Sequence, residues 1–328
     1  MAIKNPWFDP LKPHHTPDGF RNTEPTTHRP DAYKQWQKQR KAEGLPRPPE
    51  GGYRRFIQRW WQPADLAGSE DAIWWLGHAC ILVRAQGRYL LVDPALAQRA
   101  SPLSFIGPAR KTPSPINLDS LPSLDAIIYS HNHYDHLDKR SLKQLLRRFP
   151  QVPVIAPLGM SRSLIRMGAR DIKQCDWWDS LAIAGMRLHA VPARHWSMRS
   201  LWDRNQSLWC GWVLETAAWR FYFSGDSGYS PTLTEIGQRL GPFDIAALPI
   251  GAYAPEWFMG DSHMSPASAV TLFTELGSPR VIPIHWGVFE LADESLDEPP
   301  RELKRALQQA GIDNNKFSPL KIGERIIL

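Results

Sequence analysis

Six residues limit what this chain can become more than any others. His131-Asn132-His133-Tyr134-Asp135-His136 places three imidazoles and a carboxylate in one short segment. The run follows residues 124–130 (LDAIIYS), an apolar stretch of strand length, so it stands at the C-terminal end of an expected strand. Extended backbone would send His131 and His133 to one face and Asn132 to the other. A loop would then turn Asp135 and His136 toward a neighbouring point. Imidazole nitrogen and carboxylate oxygen are suitable donors to zinc. The plainer reading is a histidine-rich surface loop, but only 11 of the 328 residues are histidine.

Three further donors each stand at the end of an apolar run. His195 follows 188–192, Asp226 follows 220–223 within Ser224-Gly225-Asp226-Ser227-Gly228, and His285 follows 281–284. Taken singly, each is explained by a hydrogen-bonded histidine or a tight turn. Taken together with His131, His133, Asp135 and His136 they make seven donors. One catalytic metal needs only three protein ligands and water, so seven suit two metals sharing a carboxylate. Ser224 and Ser227 read as turn-forming and supporting hydroxyls rather than nucleophiles. His78, beside Gly77 in a strand-like run, reads as buried support. Asp93 and Asp138 are expected acceptors for ligand imidazoles.

The order of elements fixes the expected class. Residues 71–83 and 88–93 read as strands joined by a turn at Gly87, followed by a turn-rich loop over 98–122. A helix is expected over 139–149, a strand over 152–156 and a helix over 160–167. The second half repeats the alternation, with strands in 179–192, 208–214, 220–224, 245–250, 280–284 and 324–328. Its helices are expected at 231–240, after a Ser265 cap and Pro266, and over 300–310. Strands in two groups, with helices after each, fit two sheets packed face to face with helices outside. Residues 1–66 differ: they hold ten of the 30 prolines, a polar helical stretch at 31–42 and a basic aromatic stretch at 54–61. They read as an arm packed on a catalytic body spanning 67–328.

Charge bears on the partner. The chain carries +6 with histidine neutral, which suits nucleic acid, anionic lipid or a phosphate-bearing substrate. No apolar run of spanning length and no secretory signal in the first ten residues are visible, so the expectation is cytoplasmic, with peripheral contact at the inner membrane surface. Three cysteines without a CxxC pair exclude a disulfide scaffold or a cysteine zinc finger. The 15 tryptophans serve cores, interfaces and membrane contacts equally well. Trp196, Arg199 and Trp202, just after His195, are expected along one wall of an apolar groove with arginine at its rim. Tyr253 and Trp257 are expected along the opposite wall.

The HxHxDH run, the later His195, Asp226 and His285 resemble, in order, the metal motifs of the metallo-β-lactamase superfamily. That resemblance implies an α+β fold, a four-layer αββα sandwich, with two Zn2+ per chain. It implies that His131, His133 and His195 hold one zinc, that Asp135, His136 and His285 hold the other, and that Asp226 bridges them. Trp75-Leu76-Gly77-His78-Ala79, the stretch 130–138, the stretch 242–259 and Ile284-His285-Trp286-Gly287 are similar to the N-acylphosphatidylethanolamine-hydrolysing phospholipase D family, as are Asp176-Trp177-Trp178 and Glu298-Pro299-Pro300. This implies hydrolysis of that phospholipid, or a related one, to phosphatidic acid and an (N-acyl)ethanolamine, by water acidified between the metals. Asp135, Asp226 and His263 are the residues expected to act directly, His263 near the phosphate rather than on a metal. A homodimer is expected from the same resemblance. The alternative is another hydrolase of the superfamily, acting on a nucleic acid, a cyclic phosphodiester or a lactone. Nucleic acid is not favoured, because no RNA-binding motif accompanies the basic charge.

Overall fold

The computed structural model describes residues 4–27, 31–103, 105–313 and 315–328. Residues 1–3 and 28–30 of the expected arm, and residue 104 of the expected long loop, lie outside them.

The run expected as one strand over 71–83 is two, Ala72–Gly77 and Cys80–Ala85. The chain doubles back at His78-Ala79 because Gly77 (φ +98°) and His78 (φ +54°) both take left-handed backbone, which glycine adopts without a Cβ penalty. His78 therefore lies in a turn and not in a strand. Arg88–Val92 extends the antiparallel ladder, and Ala126–Ile128, Val154–Pro157 and Ile172–Cys175 add to it in parallel. Arg325–Ile327 pairs antiparallel with Ala72–Gly77 at the other edge, giving seven strands. The second sheet has six strands. Ser180–Ile183, Met186–Val191, Gly211–Glu215 and Arg220–Phe223 run antiparallel, then Ile245–Pro249 and Arg280–Ile284 run parallel.

Strand alternation explains the layers. Ile73, Trp75, Ile81 and Val83 share one core with Leu188, Trp212, Leu214 and Phe221 of the second sheet. The intervening Trp74, Leu82 and Leu91 pack instead with Leu142, Leu145 and Leu164 of helices Lys139–Arg148 and Ser161–Met167. The adjacent Trp74 and Trp75 are thus both fully buried, in different cores. Burying such a side chain contributes about 1.5–3 kcal/mol. Helices Thr232–Leu240, Pro266–Glu275 and Glu298–Gln309 place Leu233, Phe273 and Leu303 in the core of the second sheet. The result is the α+β four-layer sandwich. Ser265 caps Pro266–Glu275 by accepting from the Ser268 N–H. The helix expected from 300 begins at Glu298, since Pro299 and Pro300 sit in a first turn that needs no N–H.

The arm contains helices Ala32–Glu43 and Gly52–Trp60 and a short ribbon, His15–Thr16 with Gly19–Phe20. Trp36 donates to Asp293, and Trp60 packs edge-on against Trp286 at 5.2 Å. Cys80, Cys175 and Cys210 are buried free thiols. Among the described residues, no helix is long and apolar enough to cross a membrane.

Candidate metal centre

Asp93, Ser130, His195, Asp226, Gly251 and His285 all follow the C-terminal ends of strands, and the sandwich brings those ends to one edge. His131 and His133 lie beyond strand Ala126–Ile128, in a loop rather than in extended backbone. Their rings nevertheless converge, with His131 Nε2 2.9 Å from His133 Nδ1, and His195 Nε2 lies 3.1 Å from that same nitrogen. Across from this trio, Asp135 Oδ2 is 3.6 Å from both His136 Nε2 and His285 Nε2. Asp226 stands between the two groups. Its Oδ2 is 3.1 Å from His136 Nε2 and 2.9 Å from His285 Nε2, and it is 3.9 and 3.7 Å from His131 and His195 Nε2.

The far side of four of the five donor rings is held, that of His133 being without a hydrogen-bond partner among the described residues. His131 Nδ1 meets Ser130 Oγ at 2.9 Å, His136 Nδ1 meets Asp93 Oδ2 at 2.7 Å, and His195 Nδ1 meets the Ser262 carbonyl at 3.0 Å. His285 Nδ1 lies 3.4 Å from the Gly251 carbonyl. Such contacts fix ring orientation and leave Nε2 facing the shared space. Asp93 thus supports His136 as expected, whereas Asp138 does not reach an imidazole. It caps helix Lys139–Arg148 by accepting from Arg140 and Ser141 N–H. His78 is buried and its Nε2 meets Asp135 Oδ2 at 3.0 Å. Ser224 and Ser227 bond the carbonyls of Gly225 and Gly228, as turn hydroxyls do.

Electrostatics separates the two groups. Burial, reinforced by neighbouring imidazoles, holds His131 and His195 well below the usual histidine range, and burial lowers His133 to about 4. Burial also opposes charge on His285, but the Asp226 and Asp135 carboxylates outweigh it and raise the group to about 9. Burial likewise works against ionised Asp135 and Asp226, and the His136 and His285 charges more than offset it, leaving both well below the usual carboxylate range. His136 Nε2 and His285 Nε2 meet Asp226 Oδ2 as ion-pair contacts without hydrogen-bond alignment, and Asp226 Oδ1 and His263 Nδ1 have no hydrogen-bond partner among the described residues. Orphaned polar atoms of this kind cost about 1–3 kcal/mol each, and cations held by the two donor groups would satisfy those of His136, His285 and Asp226. Both donor groups match the ligand chemistry of a divalent ion.

Residues 88–286 match the beta-lactamase superfamily domain. The chain belongs to the metallo-β-lactamase superfamily. Its relatives include N-acyl-phosphatidylethanolamine-hydrolyzing phospholipase D 1 of Caenorhabditis elegans, 36% identical over 80% of this chain and 77% of that one. The mitochondrial N-acyl-phosphatidylethanolamine-hydrolyzing phospholipase D of Saccharomyces cerevisiae is 32% identical over 75% of this chain, which spans 53% of the yeast protein. Among solved structures, an isothiocyanate hydrolase from Delia radicum gut bacteria has TM-score 0.63 at 21% identity, covering 78% of this chain and 99% of its own. CmlA, a diiron β-hydroxylase from Streptomyces venezuelae, has TM-score 0.57 at 22% identity, covering 80% of this chain and 55% of its own. These two share the fold. This member of the superfamily is a metal-dependent hydrolase.

A hollow of about 450 Å3 opens over Asp135, Asp226 and His263. His263 lies beside the two donor groups, its Nδ1 4.0 Å from Asp226 Oδ2. Burial lowers it to about 4. Trp196, Met198, Leu201 and Leu291 form apolar parts of the wall. The other residues expected along this groove stand differently. Arg199 borders the hollow, but its Nη1 donates to the Asn132 and Leu137 carbonyls and its guanidinium lies 4.0 Å from the centre of the Tyr134 ring. Through Nη1 it clamps the donor loop. Trp202 is 84% exposed and lies outside the lining. Tyr253 is buried, donating to Glu298, and Trp257 borders a separate hollow with Asp293 and Glu294. Neither forms the opposite wall, because the segment bearing them packs toward helices Ala32–Glu43 and Glu298–Gln309. Leu291 and Ala100, from loops far apart in sequence, take that place. No local pattern marks them.

Proposed function

We propose that the chain is a dinuclear zinc phosphodiesterase of phospholipase D type. It hydrolyses N-acylphosphatidylethanolamine or a related phospholipid to phosphatidic acid and an (N-acyl)ethanolamine. The observation that carries this reading is the pair of donor groups facing across Asp226 at the floor of an open hollow with apolar walls. The worm and yeast relatives, whose names carry that activity, support the choice of substrate.

His131, His133 and His195 would hold one cation, Asp135, His136 and His285 the other, and Asp226 would face both. When bound, a pair of divalent cations supplies an acidified water and offsets phosphate charge. The protein's own part is orientation. Ser130, Asp93, Gly251 and Ser262 aim the ring nitrogens, and buried, low-dielectric surroundings strengthen every charge interaction at the reacting phosphate. His263, with a free Nδ1 beside the hollow, is placed to donate to a phosphoryl oxygen or to the departing alkoxide. Trp196, Met198 and Leu201 receive the hydrocarbon next to the headgroup. Leu201 and Trp202 (84% exposed each), together with Phe105 and Ile106 (75% and 57%), would meet the bilayer interface.

Vesicles containing N-acylphosphatidylethanolamine test this directly. Zinc-loaded protein should release phosphatidic acid and N-acylethanolamine in equal amounts, read by mass spectrometry, and a chelator should stop it. Turnover of an oligonucleotide, a cyclic phosphodiester or a lactone with the lipid left intact would move the chain to another branch of the superfamily. In co-sedimentation, a Phe105→Asp/Trp202→Asp double variant should bind anionic vesicles less than the parent. Equal binding would remove the membrane contact.

A further inference from the structure

We propose that the proline-rich segment before residue 28 is part of the metal centre, with Asn22 as the residue that positions His195. The Asn22 side chain brackets the His195 backbone. Its Oδ1 accepts from the His195 N–H at 3.1 Å and its Nδ2 donates to the His195 carbonyl at 2.9 Å. His195 follows strand Met186–Val191 but lies outside it, so no sheet ladder fixes its backbone. A primary amide presents a donor and an acceptor side by side, and here it stands in for a neighbouring strand. The ring of His195 then has little freedom, with Nδ1 on the Ser262 carbonyl and Nε2 toward His133.

The Ser262 carbonyl is held from the same segment. Thr27 donates its N–H and its hydroxyl to Asp261 Oδ2, at 2.6 and 2.8 Å. Arg194, next to His195, donates to Asp261 Oδ1 at 2.5 Å and to the Pro25 carbonyl at 3.2 Å. The segment is anchored further back as well. His14 and His15 meet the two oxygens of Asp176 at 2.7 and 3.0 Å, and Lys12 meets Oδ2. His14 stacks on Trp177 at 4.3 Å, and the Trp177 indole donates to the Trp209 carbonyl. The Trp209 indole in turn donates to Asn22 Oδ1 at 3.1 Å. A continuous set of bonds therefore runs from the Asp176 anchor to the backbone of His195. Among the described residues, no hydrogen bond or ion pair joins this segment to Asp135, His136 or His285, so the effect falls on one donor group.

This inference rests on the metal reading above, and the test separates the two. Zinc affinity of the full chain is measured by competition with a chromophoric chelator, with bound zinc counted by elemental analysis. Wild type should hold two equivalents. Asn22→Ala should weaken one equivalent about 10–100-fold and leave the other unchanged, the range seen when a group orienting a metal ligand is removed. Asn22→Asp keeps the acceptor for His195 and Trp209 but loses the donor, and should fall between. Thr27→Val, which removes only the hydroxyl bond to Asp261, should shift the same equivalent less. Trp36→Phe, elsewhere in the arm, should shift neither. Unchanged affinities in Asn22→Ala, or equal weakening of both equivalents, overturn the proposal while leaving the metal reading intact. If Asn22→Ala does not fold, Asn22→Asp and Thr27→Val decide, and no shift in either overturns it. A wild-type protein that takes up no zinc overturns both readings.

Discussion

Arg199→Ala distinguishes a structural clamp from a substrate anchor. In the folded chain Arg199 Nη1 donates to the Asn132 carbonyl at 2.6 Å and to the Leu137 carbonyl at 2.8 Å. These carbonyls flank the donors His133, Asp135 and His136. Hydrogen bonds to a charged group contribute about 1.5–3 kcal/mol each, and a guanidinium over an aromatic ring about 0.5–1 kcal/mol where exposed. The side chain borders the hollow, so water recovers part of the loss on truncation, and the lower end of the sum, about 3.5 kcal/mol, is expected. For a chain of this length that lowers the melting temperature by roughly 5 °C. The assay is thermal unfolding of zinc-loaded protein, paired with kcat and KM on the lipid. Arg199→Lys should recover about half of the loss, because one ammonium reaches a single carbonyl well. An unchanged melting temperature with a raised KM would refute the reasoning and return Arg199 to the role of phosphate anchor.

Three further outcomes follow from the same geometry. Asp226→Asn removes the nearest counter-charge of His285 and one of the two carboxylates closest to His136, which should cost the metal-free protein about 3–5 kcal/mol and remove at least one zinc equivalent, measured by denaturant melts and elemental analysis. Gly225 has φ +62°, and a Cβ there would stand 2.9 Å from both the Cys210 carbonyl and the Ser130 Cβ. Gly225→Ala should therefore cost about 1–3 kcal/mol and displace Asp226, read as weaker zinc retention. Burial raises Glu294 from 4.5 to about 7, so the folded state holds its proton where the unfolded state has lost it. Its contribution to stability should be greatest below pH 4.5 and fall as pH rises to about 7. Glu294→Gln should remove that slope from a series of denaturant midpoints, and an unaltered slope would assign it to other groups.

The seven donors were legible because their signal is local. Each is a metal-capable side chain just beyond an apolar strand-length run, and strand ends gather at a sheet edge. The layer order was legible from the order of elements, since strands in two groups with helices after each fit two packed sheets, whereas the burial of Trp74 and Trp75 in different cores was not foreseen. Reversal at His78 was not legible. Residues 71–83 are apolar almost throughout, and only the left-handed backbone at Gly77 and His78 divides them. Tyr253 and Trp257 were misplaced on the groove because aromatic content says what a side chain can line, not which way its loop packs. Arg199 lines the hollow as expected, but sequence could not show that its Nη1 also donates to two carbonyls of the donor loop.

By itself, the order of residues determined the chemistry available: imidazole and carboxylate at successive strand ends, in an α+β frame whose grouping of strands and helices fits two sheets. It also determined that the cores would be rich in aromatics. Tertiary structure alone decided which atoms share the space around Asp226, which loops wall the hollow, and that Asn22 holds the backbone of a residue 173 positions away. The physical reason is range. Side-chain type and strand periodicity act over a few residues, whereas the aim of a ring nitrogen is set by whatever packs behind it, and that partner arrives from anywhere in the chain.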